Sequence, residues 1–440
     1  MTTAPTRGSG LLSVERARDL VLAAIPGPLA AQDVSTDGAL GRVLAAPVIA
    51  ATDLPPWDNS AMDGYALRAA DTVAATESAP VRLAVVGDVA AGAAPTVTVT
   101  PGVAVRIATG APLPPGADAV VPVEETTPLD QADVPGPRGR DATGPLPAAC
   151  LVHVAVRPGG SVRRAGDDLR AGTVVLEPGT ALTPAGIAIA AGSGTGRLTV
   201  TRRPRVAVLA TGDEVRPTGT ALGPAGIPDA NGPGLAALVA DAGGHPIRLG
   251  VARDILDDVL GRLRTAIADG ADAIIVSGGV SVGPYDVVKL AFDALGRIDL
   301  WRVAVQPGKP FAFGTAERPG GGPPILLFGL PGNPVSGFVT FELFVRPALR
   351  RLAGRRDLLR PTDRAVLAEP VSKSHGRRAF LRVVSGERDE RGRVRVRLAG
   401  GQGSHVLSAL AAANALAVVP EDVDELPADA EVELWWLDRA

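Results

Sequence analysis

Apolar residues recur at helical spacing over residues 13–25. Val14, Ala17, Leu20, Val21, Ala24 and Ile25 share one face, Ser13 suits the N-cap, and Pro26-Gly27-Pro28 ends the run. From about 50 to 172 the pattern shortens to alternating apolar segments, such as Val81–Val86 and Val103–Ile107, divided by Gly/Pro turns. That texture predicts a small β-rich domain. Within it, residues 128–149 are Pro/Gly-rich and aperiodic, which predicts a flexible surface loop. Residues 204–353 differ. Apolar runs at Arg205–Ala210, Ile247–Val251, Ala273–Val276, Trp301–Val305 and Ile325–Phe328 read as buried strands. Helical patterns near 233–242, 255–268, 286–295 and 334–352 alternate with them, predicting a doubly wound α/β domain. From about 357 to 440 the β texture returns and predicts a small barrel or sandwich.

Length and composition narrow this picture. The 440 residues predict two to four domains at about 100–200 residues each. With 46% hydrophobic residues and only 3% aromatic, the cores must be built from Ala, Val, Leu and Ile. Apolar segments interrupt the Gly and Pro throughout, which excludes global disorder. A net charge of −3 argues against a nucleic-acid binder working through bulk positive charge. The single cysteine, Cys150, excludes an intrachain disulfide and a Cys-based zinc site. Only Lys289, Lys309 and Lys373 are lysines among 44 basic residues, the coding bias of a GC-rich genome. No uninterrupted apolar run is long enough to span a bilayer, and Glu15, Arg16, Arg18 and Asp19 break the first apolar stretch. A cytoplasmic protein is the expectation.

The segments just beyond the strands of the α/β region carry the chemistry. They are Thr211-Gly212-Asp213-Glu214, Arg253-Asp254, Ser277-Gly278-Gly279-Val280-Ser281-Val282-Gly283, Gln306-Pro307-Gly308-Lys309-Pro310 and Gly329-Leu330-Pro331-Gly332-Asn333-Pro334. Any one of these could be an ordinary turn. Five of them at five strand ends predict convergence on one crevice, since open α/β sheets bind ligands at their carboxyl ends. The Ser277–Gly283 glycines and hydroxyls suit an anion, and Asn333-Pro334 suits a helix start, as N-cap and N1. Glu214, Asp254, Asp286 and Asp213 are unexpected in a pure phosphate pocket, which a hard cation such as Mg²⁺ would reconcile. Asp254 and Asp286 also suit plain helix caps.

Four segments stand out elsewhere: Trp57-Asp58-Asn59-Ser60-Ala61-Met62-Asp63-Gly64-Tyr65, Arg106–Pro112, Arg163–Asp168 and Gly401-Gln402-Gly403-Ser404-His405. There is no Walker A loop, no dinucleotide-binding glycine fingerprint after a strand, and no H-E-x-x-H. His153, His245, His375 and His405 are scattered and read as structural or solvent-facing.

The strings DNSAMDGYA, RIATGAPLPPGADAVV, RRAGDDL, TGDE, SGGVSVGPYD, PGKPFAFG, GLPGNPVSG and GQGSHVLS occur in this order. Together they resemble the molybdopterin molybdenumtransferase family, the MoeA/gephyrin E-domain family, from about residue 11 to 435. The resemblance implies a helix at 11–30 joined to the α/β domain and a small linking domain from 31–49 and 173–203. It further implies an inserted β-rich domain at 50–172, an α/β molybdopterin-binding domain at 204–356 and a C-terminal β domain at 357–440. It implies a homodimer whose site lies between the α/β domain of one subunit and the inserted domain of the other. The implied reaction takes adenylylated molybdopterin and molybdate, with Mg²⁺, to molybdenum cofactor and AMP. The adenylyltransferase that makes the substrate is an implied partner; nucleic acid and membranes are not.

Carried over by matching positions, Asp63, Glu214, Asp254 and Asp286 are the implied catalytic and Mg²⁺-binding carboxylates, with Lys309 as a catalytic cation. Thr109, Asp168, Ser277, Gly278, Gly279, Ser281, Arg302, Pro331, Asn333, Pro334 and Ser404 are the implied substrate-binding set. Two departures stand where the family often has lysine: Arg302 keeps the charge with a different fork, and Gln306 loses it. Gln306 and Arg302 motivate an alternative, a non-catalytic pterin-binding paralogue or scaffold. An adenylyltransferase acting one step earlier is the third reading.

Overall fold

The computed structural model describes residues 11–139, 144–279 and 287–437. Its centre is a six-stranded sheet: β1 (Arg205–Thr211), β2 (His245–Ala252), β3 (Ala273–Ser277), β4 (Gly296–Arg302), β5 (Pro310–Ala316) and β6 (Ile325–Leu330), in the order β2-β1-β3-β6-β5-β4. The first four strands in that order are parallel, and β5 and β4 continue the sheet antiparallel. Along β1 the side chains divide between two cores. Val206 and Val208 join the one that contains the N-terminal helix, Val14–Ala23, while Ala207 and Leu209 join the other. Helix α1 (Asn231–Asp241) covers the first face; α2 (Leu256–Ala268) and α3 (Val287–Leu295) cover the second. Burial on both faces is why these strands read as near-continuous apolar runs.

From β1 the chain crosses to β2 on one side, then returns past β1 to β3 on the other. The connection therefore reverses between β1 and β3, and that reversal opens a crevice at their carboxyl ends.

The N-terminal helix forms as the pattern predicts, with the Ser13 hydroxyl accepting from the Arg16 amide at 3.2 Å. Two expectations are corrected. The run Trp301–Val305 is not one strand: β4 ends at Arg302, and Val305–Gln306 pairs instead with Arg378–Ala379 of the C-terminal domain. The pattern over 334–352 is not one α-helix either. Helix α4 (Pro334–Thr340) passes through a π-helical turn at Phe341–Val345 into an α-helix at Arg346–Leu352.

The other units are all β-rich. Ala31–Ser35 pairs with Arg197–Thr201 over a small core that includes Leu44, Leu182 and Val200. A six-stranded sheet between residues 64 and 152 carries separate cores on its two faces, with Tyr65 and Ala66 pointing to opposite sides. The ends of the Pro/Gly-rich 128–149 segment are themselves strand, since Thr126–Leu129 pairs with Ala149–Val152. In the C-terminal domain, strands at 378–388, 394–398, 362–367, 431–436 and 415–419 pair in turn and the last closes on the first. That makes a five-stranded barrel.

Candidate active site

A cleft of about 720 Å³ opens at the carboxyl ends of the parallel strands. Thr211, Gly212 and Glu214 reach it from β1, Asp254 from the end of β2, and Ser277, Gly278 and Gly279 from β3. Pro331, Gly332, Asn333 and Pro334 reach it from β6 and the start of α4. The fifth loop contributes Pro310 alone. The reason is directional: β5 runs antiparallel, so it presents its amino end here. From the barrel side come His405 and Leu407.

Hydrogen bonds inside the lining fix its shape. The Asn231 side-chain amide, at the start of α1, donates to the Ser277 hydroxyl at 2.8 Å and to the Gly332 carbonyl at 2.7 Å. Ser277 in turn donates to the Pro331 carbonyl at 3.4 Å. The Gly278 amide donates to the Leu330 carbonyl at 3.2 Å. The donors that the sequence offered for an anion at Ser277 and Gly278 are thus engaged within the protein. Asn333 stands at the N-cap of α4, but its side chain makes no cap bond there. It donates instead to the Ser404 hydroxyl at 3.0 Å, tying the barrel segment to the cleft rim. Buried Asp229 accepts from the Gly232 amide at 2.7 Å and pairs with Arg248 at 3.0 Å, anchoring the start of α1.

The cleft is acidic. Glu214 and Asp254 line it, and neither Arg nor Lys does among the described residues. A side chain at Gly212 would meet the Glu214 carboxylate at 2.8 Å, so glycine there lets that carboxylate fold back over the strand end. The amides of Asp213 and Asp254 each point at the other's carboxylate, at 3.4 and 3.3 Å. Burial raises the proton affinity of Asp254, and the charges of Asp213 and Glu214 raise it further, while the bond from the Asp213 amide opposes them. Among the described residues no group of three His, Cys, Asp or Glu is placed to hold a metal.

The remaining residues singled out by sequence lie elsewhere. Asp63 accepts from both the amide and the hydroxyl of Thr109, at 2.7 and 2.8 Å, within the β-rich insertion and away from the cleft lining. Asp168 sits on the turn beside Leu54, where its amide donates to the Leu54 carbonyl at 3.0 Å. Lys309 and Arg302 are exposed next to Pro310 and do not line the cleft. Gln306 accepts from the Ser374 amide at 3.2 Å and faces the barrel. Asp286 and Ser281 fall outside the described residues. Sequence reasoning placed Thr211 and His405 in segments of interest without giving either a role, and it passed over Asn231 and Asp229. His405, read as structural or solvent-facing, is exposed and also lines the cleft, and its adjacency to Ser404 was the available signal. Among the described residues no helix is long and apolar enough to cross a membrane.

Comparison with known proteins covers nearly the whole chain. Family models match for the MoeA N-terminal region (domain I and II) over 12–194, a probable molybdopterin binding domain over 207–351, and the MoeA C-terminal region (domain IV) over 364–437. Molybdopterin molybdenumtransferase 2 of Mycobacterium tuberculosis is 41% identical over 403 residues, 90% of this chain and 93% of the relative. The molybdopterin molybdenumtransferase of Haemophilus influenzae is 32% identical, covering 94% and 95%. The crystal structure of the molybdopterin biosynthesis MoeA protein from Pyrococcus horikoshii superposes with a TM-score of 0.76 at 29% identity, covering 97% and 100%.

Proposed function

Because the chain belongs to the MoeA family of molybdopterin molybdenumtransferases and serves molybdenum cofactor biosynthesis, we propose that it converts adenylylated molybdopterin and molybdate to molybdenum cofactor and AMP in the cytoplasm. The observation that carries this reading is the cleft at the β1/β3 reversal, where Glu214 and Asp254 stand beside the Ser277–Gly279 turn.

The family works with a divalent metal, and the donor set here suits Mg²⁺. Mg²⁺ commonly takes one or two carboxylates and completes its shell with water and substrate phosphates. Of the three carboxylates among the described lining residues, Asp229 is taken by Arg248, and Glu214 and Asp254 are left in a cleft lined by no Arg or Lys, which matches that habit. A cation between them would also relieve the crowding of negative charge that raises the proton affinity of Asp254. Glu214 and Asp254 would hold the ion, which supplies charge neutralisation at the phosphate oxygens.

The chain's own residues do the positioning. The Asn231–Ser277–Pro331 bonds keep the loops after β1, β3 and β6 at fixed spacing, so a phosphoanhydride meets a preorganised wall. Asn333 and Ser404 close the barrel side of that wall. Water attacks the pterin-side phosphorus of the anhydride and gives its proton to solvent, AMP leaves with the electrons of the broken P–O bond, and the two dithiolene thiols displace one oxygen of molybdate as water. Such cleavage asks a protein mainly for alignment and electrostatics. Lys309 and Arg302 flank Pro310 and form no ion pair among the described residues, so they can receive the incoming anion at the cleft edge.

Asp63, Thr109 and Asp168 enter this scheme from a second copy of the chain, in a homodimer with a composite site. Their distance from the cleft within one chain fits that arrangement. The non-catalytic alternative leaned on Gln306 and Arg302; Gln306 is bonded to Ser374, outside the cleft lining, and Arg302 keeps its positive charge at the surface. Purified protein given adenylylated molybdopterin, molybdate and Mg²⁺ should release AMP. Release no faster than in protein-free buffer would overturn the proposal.

A further inference from the structure

Thr211 ends β1 where the sheet connection reverses, and it lines the cleft with only 5% of its surface exposed. Its hydroxyl is buried and makes no hydrogen bond among the described residues. That is anomalous, because a buried hydroxyl without a partner destabilises the fold that contains it. Its neighbours do not share the anomaly. Ser277 is bonded to Asn231 and Pro331, and the Gly278 amide to Leu330. Both Asn231 side-chain bonds are likewise internal.

The turn above Thr211 keeps the hydroxyl clear of side chains. A Cβ at Gly278 would lie 2.9 Å from it, and one at Gly279 would lie 3.3 Å away. Both glycines have positive φ, 98° and 62°, so any side chain would be strained there as well as close. The local backbone therefore leaves the Thr211 hydroxyl without a partner among the described residues, beneath the Gly278–Gly279 turn at the edge of the crevice.

We propose that the Thr211 hydroxyl is a substrate-contacting group, donating a hydrogen bond to a phosphate oxygen of the bound adenylylated pterin. This rests on the transferase reading above and adds to it the residue that meets the anhydride. It also accounts for the missing partner, which arrives with the substrate. A hydroxyl is matched to that task because it donates without adding charge to a cleft that must also admit a cation.

The test compares Thr211→Val, which keeps the shape and removes the donor, with Thr211→Ser, which keeps the donor. Full-length proteins are melted with and without adenylylated molybdopterin, and AMP release is followed against substrate and Mg²⁺ concentration. Thr211→Val should melt at or above the wild-type temperature without ligand. It should gain less from added substrate and lose about 10- to 100-fold in kcat/KM, as expected for a hydrogen bond to a charged group. Thr211→Ser should stay within about threefold of wild type. A merely structural threonine would show the reverse, lower stability with unchanged kcat/KM, and that result overturns the proposal. So does a loss confined to the Mg²⁺ requirement, which would place the hydroxyl on the metal. Should Thr211→Val fail to fold, Thr211→Ala removes the same donor and is read by the same criteria. Wild-type protein that binds substrate without releasing AMP sinks the transferase reading, and the substrate-dependent melting shift then judges Thr211 alone. Wild-type protein that binds nothing overturns both.

Discussion

Asp254 is where the electrostatics of the cleft concentrate. Burial, then the charges of Asp213 and Glu214, make the folded protein hold this proton more tightly than the unfolded chain does. The contribution to stability is therefore unfavourable above the raised pKa and is relieved as pH falls through it. Asp254→Asn should raise the melting temperature of ligand-free protein at neutral pH. It should also remove part of the relief that wild type gains on acidification, while AMP release falls by about two orders of magnitude. Melting curves without Mg²⁺, from neutral pH down through the ordinary carboxylate range, check the first part. A less stable variant at neutral pH would count against it. Glu214, Asp254, Ser277, Pro331 and Asn333 were legible as cleft residues because each closely follows an apolar run. Thr211 was legible as part of the same loop as Glu214 but its unpartnered hydroxyl was not, because no pattern of residue types tells whether a hydroxyl finds a partner. The contact of His405 with the cleft was hidden for another reason. Its place depends on long-range bonds at its neighbour Ser404, which accepts from the Val335 amide at 3.1 Å and from the Asn333 side chain.

Among the elements, those whose hydrophobic period was unambiguous were read correctly, and the failures lie where two periods meet. Trp301–Val305 is apolar throughout, yet it serves two sheets, and no periodicity marks the transfer of Val305–Gln306 to the barrel. Gln306→Lys tests what that transfer means. It should leave AMP release within about twofold, because position 306 faces Ser374, and cost about 1 kcal/mol as the Ser374 amide loses its acceptor. A clear rise in AMP release would instead place residue 306 in the reaction. The π turn at Phe341–Val345 is invisible to a 3.6-residue period, and it carries a buried carboxylate, Glu342. Arg360 holds Glu342 with two bonds, at 2.9 and 3.0 Å, and also reaches Asp241 at 2.7 Å, where Arg346 joins at 2.6 Å. Replacing Glu342 by Gln leaves the buried Arg360 with Asp241 as its remaining carboxylate partner among the described residues and should cost about 2 kcal/mol in urea unfolding. AMP release by the surviving folded fraction should be unchanged, since the cluster lies outside the cleft lining.

For the molecule as a whole, overall charge was a poor guide and its distribution a good one. In the proposed reaction a cation between Glu214, Asp254 and the substrate phosphates would reconcile an acidic lining with a polyanion. The succession of β-rich, α/β and again β-rich stretches was legible because each has its own texture, whereas the placement of Asp63 away from the lining that holds Asp254 was not, since no local pattern encodes how distant segments meet. That placement yields a decisive experiment on the composite site. If Asp63 acts from a second copy, Asp63→Asn and Asp254→Asn homodimers are each inactive, because every site carries one defect. A mixed dimer puts both defects in one site and leaves the other intact. Random exchange makes about half of the dimers mixed, each with one working site, so AMP release should recover to roughly a quarter of wild type. Recovery should follow the rate of subunit exchange, and dilute samples mixed without exchange should stay inactive. Exchanged samples that remain inactive would confine the working site to a single chain, and would require Asp63 and Thr109 to serve the insertion alone.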